Sequence, residues 1–256
     1  MSPVLAVVNQ KGGVGKTTTS VNLAAALGRA GRRVLLVDLD PQGNATMGSG
    51  VDKRTIARSV YHVLLGLGDI GVIRVRAEKG GYDLVPANRD LAGAEVELVE
   101  LDNRETRLKA ALERIAGDYD FILIDCPPSL SLLTVNALTA AQRVLIPMQC
   151  EYYALEGLSD LVGTIKRVRG NLNPQLEIAG LLRTMYDPRN TLSQQVSQQL
   201  EEHFGDKVYK TLVPRNVRLA EAPSYGVPAV LWDTASKGAQ AYLQLADEIL
   251  SRGQAA

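Results

Sequence analysis

The chain has 256 residues, 46% of them hydrophobic, enough to bury the core of one large α/β domain or two small ones. Lysine plus arginine number 28 and so do aspartate plus glutamate, so bulk charge points to no polyanionic partner and any nucleic-acid contact must come from a local patch. The two cysteines, Cys126 and Cys150, and the two histidines lie apart without metal-ligand spacing, which removes a zinc site and leaves free thiols of a cytoplasmic protein as the expectation.

The first apolar run, Val4-Leu5-Ala6-Val7-Val8, has no basic segment ahead of it, so no signal peptide is expected. No apolar run is long enough to span a membrane. The run leads through Lys11-Gly12-Gly13-Val14-Gly15-Lys16-Thr17 into a helix-compatible segment, Lys16 to Arg29. Val34-Leu35-Leu36-Val37 is a short buried strand, preceded by a helix stop at Gly31. The Gly-rich stretch from Gly43 to Gly50 reads as a loop. The segment from Lys53 to Gly81 carries the weakest pattern, with Ser59–Leu67 compatible with a helix. Further strands are expected at Tyr82–Pro86, Phe121–Ile124, Val144–Met148, Ile178–Met185 and Val208–Val213. Helices are expected at Asp90–Leu101, Glu105–Ala116, Ser131–Ala141, Ala154–Arg169, Leu192–His203 and Lys237–Ser251. The strands are continuous apolar runs rather than alternating ones, the mark of a parallel sheet covered on both faces. Right-handed crossovers then give an α/β fold, a doubly wound, mostly parallel sheet with helices on both faces. No internal repeat or low-complexity linker interrupts the chain, so residues 1–256 are expected to form one domain.

Strand, glycine loop and helix N-terminus, in that order, make a phosphate-binding context. Glycines let backbone N–H groups approach an anion with no Cβ in the way, and the helix dipole adds partial positive charge at the same place. Gly12, Gly13, Val14, Gly15 and Thr18 belong to this cradle; Lys16 would reach the β- and γ-phosphates of a nucleotide, and the Thr17 hydroxyl would hold Mg²⁺. The plain pattern G-x-x-x-x-G-K-[ST] is not met, because its first Gly falls on Gln10, and a second lysine, Lys11, stands in the loop. The loop closely resembles the deviant Walker A motif of the ParA/MinD group of P-loop ATPases. That resemblance implies that Lys11 crosses a dimer interface and touches the partner's bound nucleotide.

Ligands in doubly wound folds bind at the carboxyl ends of strands. Two such ends carry acids, Asp38-Leu39-Asp40-Pro41 and Asp125-Cys126-Pro127-Pro128. A lone Asp after a strand usually caps a turn. Two of them beside a phosphate loop suit Mg²⁺, which takes octahedral oxygen ligands, mostly water, with few carboxylates. Asp125 looks like the Walker B aspartate, holding Mg²⁺ through a water; Asp38 is expected to orient the metal's waters, and Asp40 to orient or deprotonate the attacking water.

The resemblance extends over nearly the whole chain. Asn9-Gln10-Lys11-Gly12-Gly13-Val14-Gly15-Lys16-Thr17-Thr18-Thr19, Asp38-Leu39-Asp40-Pro41-Gln42-Gly43-Asn44, Asp125-Cys126-Pro127-Pro128-Ser129-Leu130, Glu151-Tyr152-Tyr153-Ala154-Leu155-Glu156-Gly157 and the run from Pro214 to Pro223 resemble ParA-type chromosome-partition ATPases. The likeness is to the small, Soj-like chromosomal form, without the extra N-terminal DNA-binding domain of the larger plasmid forms. It implies that Asp40 belongs to a first switch needed for hydrolysis and that Asp125 with its prolines forms a second. It also implies that Pro214, Arg215 and Asn216 lie against adenine, with the Asn216 amide reading the base. Thr184-Met185-Tyr186-Asp187 has the spacing of a guanine-reading N-K-x-D motif but lacks its Asn and Lys, which favours ATP over GTP. The resemblance further implies ATP/ADP and Mg²⁺ as ligands, an ATP-bound homodimer, non-specific DNA, a ParB-type activator, no membrane, and a cytoplasmic, nucleoid-associated location.

Arg215 and Arg218 are three apart and share a face if that stretch is helical. Arg189, Lys207 and Lys210 are expected to gather near them, and phosphate contacts from such a patch give sequence-independent, salt-sensitive binding. Three other readings fit these residues less well. A MinD-like membrane-cycling ATPase needs a basic amphipathic C-terminal helix, and Ala246 to Ala256 is short on Lys and bulky apolar residues. An iron–sulfur reductase of the nitrogenase type needs cluster cysteines, and Cys126 and Cys150 stand outside that context. A non-hydrolysing nucleotide-gated scaffold has no use for Asp40.

Overall fold

The computed structural model describes residues 3–254. Its first half holds β1 (Val4–Val7), α1 (Lys16–Arg29), β2 (Val34–Asp38), α2 (Asn44–Gly48), α3 (Val60–Leu64), α4 (Ile70–Ile73), β3 (Val75–Ala77), β4 (Tyr82–Val85), α5 (Leu91–Glu97) and α6 (Arg107–Glu113). The second half adds β5 (Phe121–Asp125), α7 (Leu132–Ala140), β6 (Arg143–Gln149), α8 (Ala154–Asn171), β7 (Glu177–Tyr186), α9 (Thr191–Phe204), β8 (Val208–Pro214), α10 (Val217–Glu221), α11 (Ala229–Trp232) and α12 (Lys237–Gln254). The strands form one sheet in the order β3-β4-β2-β5-β1-β6-β7-β8, parallel except for β3 against β4. This is the doubly wound, mostly parallel α/β sheet expected from the apolar runs.

Successive residues of each run face opposite sides of the sheet. Leu5, Val7, Leu36, Leu123 and Leu145 pack with α1, α11 and α12, while Val4, Ala6, Leu35, Val37, Ile122 and Ile124 pack with α3 through α9. Burial on both faces is the reason no alternation is visible in the sequence. Among the described residues no helix is long and apolar enough to cross a membrane.

Two expectations need correction. The stretch from Gly43 to Gly50 is not all loop, because α2 lies inside it. Asp38 Oδ2 accepts hydrogen bonds from both the backbone N–H and the hydroxyl of Thr46, each at 2.7 Å. A carboxylate brought in from β2 thus stabilises the helical turn, and local periodicity carries no trace of it. Between Lys53 and Gly81 the chain also forms β3, a three-residue antiparallel edge strand too short to register as a pattern. The helix expected at Ser59–Leu67 is present in shorter form as α3, with Ser59 N donating to His62 Nδ1 at 3.2 Å.

Three contacts matter for the site. Thr19 on α1 shares a buried hydroxyl–hydroxyl hydrogen bond of 3.0 Å with Tyr242 on α12, and Asn22 Oδ1 accepts from Val230 N at the start of α11. The turn after α2 meets the turn before α11 backbone to backbone, so a Cβ on Gly226 would lie 2.7 Å from the Gly50 Cα.

Candidate functional site

The carboxyl ends of β1, β2 and β5 meet at one point, where Asp38 and Asp125 are register partners and Val7 pairs with Asp125. The glycine loop follows β1 directly. Gly13 and Gly15 hold φ of 74° and 87°, a region that side-chain-bearing residues rarely adopt, and this turn aims α1 at the same point. Gly15 stands at the N-cap and has no side chain with which to satisfy the first N–H groups of α1. Asn9 Nδ2 donates to Pro147 O at 2.8 Å and Asn9 Oδ1 accepts from Lys11 N at 3.0 Å. On the far side, the Thr184 hydroxyl at the end of β7 donates to Val14 O at 2.8 Å. The loop is therefore braced by β6 and β7 as well as by its own turn.

Lys16 is buried, and its Nζ donates back to Lys11 O at 2.9 Å. Burial lowers its pKa, while the charges of Asp125 and Asp40 oppose that shift. With one acceptor taken, the ammonium keeps two N–H donors for an incoming anion. Asp125 is fully buried; its Oδ2 accepts from the Thr17 hydroxyl and its Oδ1 from the Ser20 hydroxyl, both at 2.8 Å. Asp38, equally buried, accepts from Thr46 on one oxygen and from Asp40 N, at 3.2 Å, on the other. Burial raises the pKa of both carboxyls, and the proximity of Asp38 pushes Asp125 up further. Asp40 Oδ1 accepts from Gln42 N at 2.9 Å, and its other oxygen has no hydrogen-bond partner among the described residues.

Two buried carboxylates beside one ammonium leave room for a further cation, and the donor set is hard oxygen, which suits Mg²⁺. Among the described residues no three acidic, imidazole or thiol groups converge to hold a metal by themselves. Mg²⁺ therefore fits only as an ion shared with phosphate and water, with the Thr17 hydroxyl and the two carboxyls as the protein's share. Both thiols are buried, and burial pushes Cys126 well up and Cys150 to about 11, so neither is a thiolate at neutral pH.

Lys11 lies on the exposed rim, its Nζ 2.5 Å from Glu151 Oε2. The next two residues, Tyr152 and Tyr153, are exposed and meet edge-on at 5.0 Å. Pro214 ends β8 beside Tyr186 of β7, which brings the loop that follows, with Arg215 and Asn216, to the same end of the sheet as Thr184 and the glycine loop. Asn216 caps α10, its Oδ1 accepting from Arg218 N at 2.9 Å, so its side-chain NH₂ is what remains for another acceptor. Between Thr184 and Tyr186, Met185 holds a left-handed φ of 49°, a strained conformation of the kind found at ligand sites.

The basic patch differs from the expectation. Because Asn216 is the N-cap, Arg215 lies outside α10 and does not share a helical face with Arg218. Arg189, in the loop after β7, is near their end of the sheet, bonded to Asp187 through Nε and Nη2 at 2.9 Å each. Lys207 does not join them. It precedes β8, whose seven residues separate it from Arg215 by about 23 Å of strand, and Lys210 lies partway along. Sequence reasoning assigned no role to Glu151, Ser20, Thr46 or Thr184. Glu151 follows the end of β6, and the strand-end rule that found Asp38 would have found it. Ser20 is one helical turn from Lys16, while Thr46 and Thr184 have no local signal.

A family model described as an AAA domain matches residues 2–178. The chain is 54% identical over 251 residues to the chromosome partitioning protein ParA of Caulobacter vibrioides, covering 97% of this chain and 94% of that protein. It is 54% identical over 253 residues to the sporulation initiation inhibitor protein Soj of Bacillus subtilis, covering 99% of this chain and all (100%) of that one. A crystal structure of cobyrinic acid a,c-diamide synthase from Mycobacterium smegmatis, with bound ATP analog and magnesium, matches with a TM-score of 0.87 at 43% identity, covering 99% of this chain and 96% of that one.

Proposed function

This chain belongs to the ParA/Soj family of chromosome-partitioning ATPases, and from that premise we propose that ATP pairs two copies into a dimer that holds DNA without sequence preference. Hydrolysis, stimulated by a ParB-type partner, then releases the DNA. The observation that carries this reading is the braced glycine loop, with Lys16 and Asp125 buried beneath it and Lys11 on its open rim. The synthase activity in the name of the M. smegmatis relative stays with that protein.

In this reading Lys16 leaves Lys11 O for the β- and γ-phosphates, where the loop N–H groups and the N-terminus of α1 complete the charge balance. Mg²⁺ bound with the nucleotide supplies further neutralisation of phosphate charge. Asp125 keeps the Thr17 hydroxyl in position, and Ser20 keeps Asp125 in position. The unengaged Asp40 oxygen aligns the attacking water and takes its proton. Lys11 exchanges Glu151 for the nucleotide of a second copy. Pro214, Arg215 and Asn216 hold adenine, the Asn216 NH₂ facing a ring nitrogen. Arg189, Arg215 and Arg218 contact DNA phosphates.

DNA retention compared with ATP, with ADP and without nucleotide tests this directly. Retention is expected only with ATP, declining with salt by about 0.9 in log K per log salt for each phosphate contact. Equal retention in all three conditions would overturn it.

A further inference from the structure

Arg218 is half exposed, yet its own chain engages it on every side. Its Nη1 donates to Glu221 Oε2 at 3.0 Å, and its Nε lies 3.2 Å from Asp233 Oδ2. Its guanidinium carbon stands 5.6 Å from the centre of the Trp232 ring, which is stacked on Tyr225 at 4.8 Å. Glu221 comes from the same turn of α10, and Asp233 from the residue just after α11. The cation is therefore held across two elements rather than by a chance neighbour. Arg215, by contrast, has no ion pair among the described residues, so the patch combines one free cation with two held ones, Arg189 being paired with Asp187.

The guanidinium keeps N–H groups on Nη2, but a phosphate that takes them stands beside two carboxylates that already neutralise the cation and repel the incoming polyanion. We propose that Glu221 and Asp233 act as a built-in competitor for Arg218, setting a threshold that one subunit's patch does not pass and two joined patches do. This rests on the DNA reading above and deepens it by naming what keeps the free subunit off DNA. An exposed ion pair of this kind shifts an equilibrium by roughly two- to five-fold. Releasing both carboxylates is then expected to tighten DNA binding by about five- to twenty-fold per subunit. The stack on Trp232 holds the guanidinium plane whichever anion it meets, since a cation over an aromatic face keeps its edge donors free.

The test is a double-mutant cycle read by DNA retention without nucleotide and with ATP, over a salt series. Glu221→Gln together with Asp233→Asn removes the two charges and keeps the shapes. In the parent background this variant is expected to retain DNA without nucleotide, at salt concentrations where the parent does not. In an Arg218→Ala background the same pair of substitutions is expected to change retention by less than two-fold. An equal gain in both backgrounds would mean that the carboxylates act only through the general field, and no gain in the parent background would mean that they do not compete at all; either result overturns the inference. Failure of the parent to bind DNA with ATP would instead overturn the DNA reading, and the inference with it. ATP-dependent dimerisation of the amide variant, followed by light scattering, shows that it is folded. Should the double variant fold poorly, Asp233→Asn alone gives the same comparison at about two- to five-fold.

Discussion

Asp38 and Asp125 lie side by side without exposure, and what each residue touches separates their roles. Asp125 is tied to the phosphate loop through Thr17 and Ser20, whereas Asp38 is tied to α2 through Thr46. Asp40 is the acid with an oxygen to spare. Asp40→Ala is expected to bind ATP and dimerise but not turn it over, because a water-aligning carboxylate contributes mainly in the transition state. Phosphate release at the parent rate would remove Asp40 from the mechanism. The buried pair also makes a pH prediction for the nucleotide-free protein. Folding pushes Asp38 up to about 6 and Asp125 up to about 7, above the ordinary aspartate value of about 4. Between about pH 4 and 7 the folded state then binds protons that the unfolded chain does not, so stability falls as pH rises through that window and levels off above it. The ion-paired aspartates Asp52, Asp120 and Asp187 are held down near 2 and do not titrate there. A urea midpoint higher at pH 5 than at pH 8 is expected, and the reverse order would mean that the pair stays ionised. The acids were legible in the sequence because they end strands. Of their hydroxyl partners only Thr17 was, since Ser20 and Thr46 are defined only by what the fold brings to them.

At the scale of elements, the glycine loop and α1 follow from local chemistry, and α2 does not. No atom lies within 4 Å of a Cβ built on Gly12, and its φ is not left-handed, so a side chain there is tolerated within one chain. Gly12→Val is accordingly expected to fold and bind ATP. If the rim that carries Lys11 faces a second copy, the variant stays monomeric with ATP in light scattering, and a normal dimer would move the interface elsewhere. Gly226 is the opposite case. Its left-handed φ of 60° and its approach to Gly50 leave no space, so Gly226→Ala is expected to cost about 1–3 kcal/mol and to lower Tm. An unchanged Tm would show that α2 and the turn before α11 separate freely. Neither the α2 turn nor this backbone contact has a signature in composition or periodicity, because the first depends on a side-chain bond from the carboxylate that ends β2 and the second on a residue more than a hundred positions away.

For the whole molecule, the parallel sheet was legible from uninterrupted apolar runs, and β3 was not, since three residues at an antiparallel edge carry too little pattern. The opposite edge, β8, is covered by side chains. Glu248 of α12 accepts from Lys210 N at 2.9 Å and from Thr211 N at 3.0 Å, and Arg252 donates to Asp206 O at 2.9 Å and to Val208 O at 3.2 Å. The outward backbone groups of an edge strand are the kind that recruit another strand, and these side chains occupy several of them. Glu248→Ala is expected to destabilise the chain by about 1–3 kcal/mol and to cause concentration-dependent association without nucleotide. A strictly monomeric variant by light scattering would show that the edge needs no cover.

With β8 covered in this way, that edge of the sheet offers no strip on which copies could add head to tail. A chain that pairs through its nucleotide face uses the same patch on both partners, an isologous contact related by a two-fold axis. Such a contact consumes the adhesive surface of each copy as it forms. If copies pair in this proposed way, symmetry sets the stoichiometry: assembly is expected to close at two, and more protein to yield more pairs rather than longer ones.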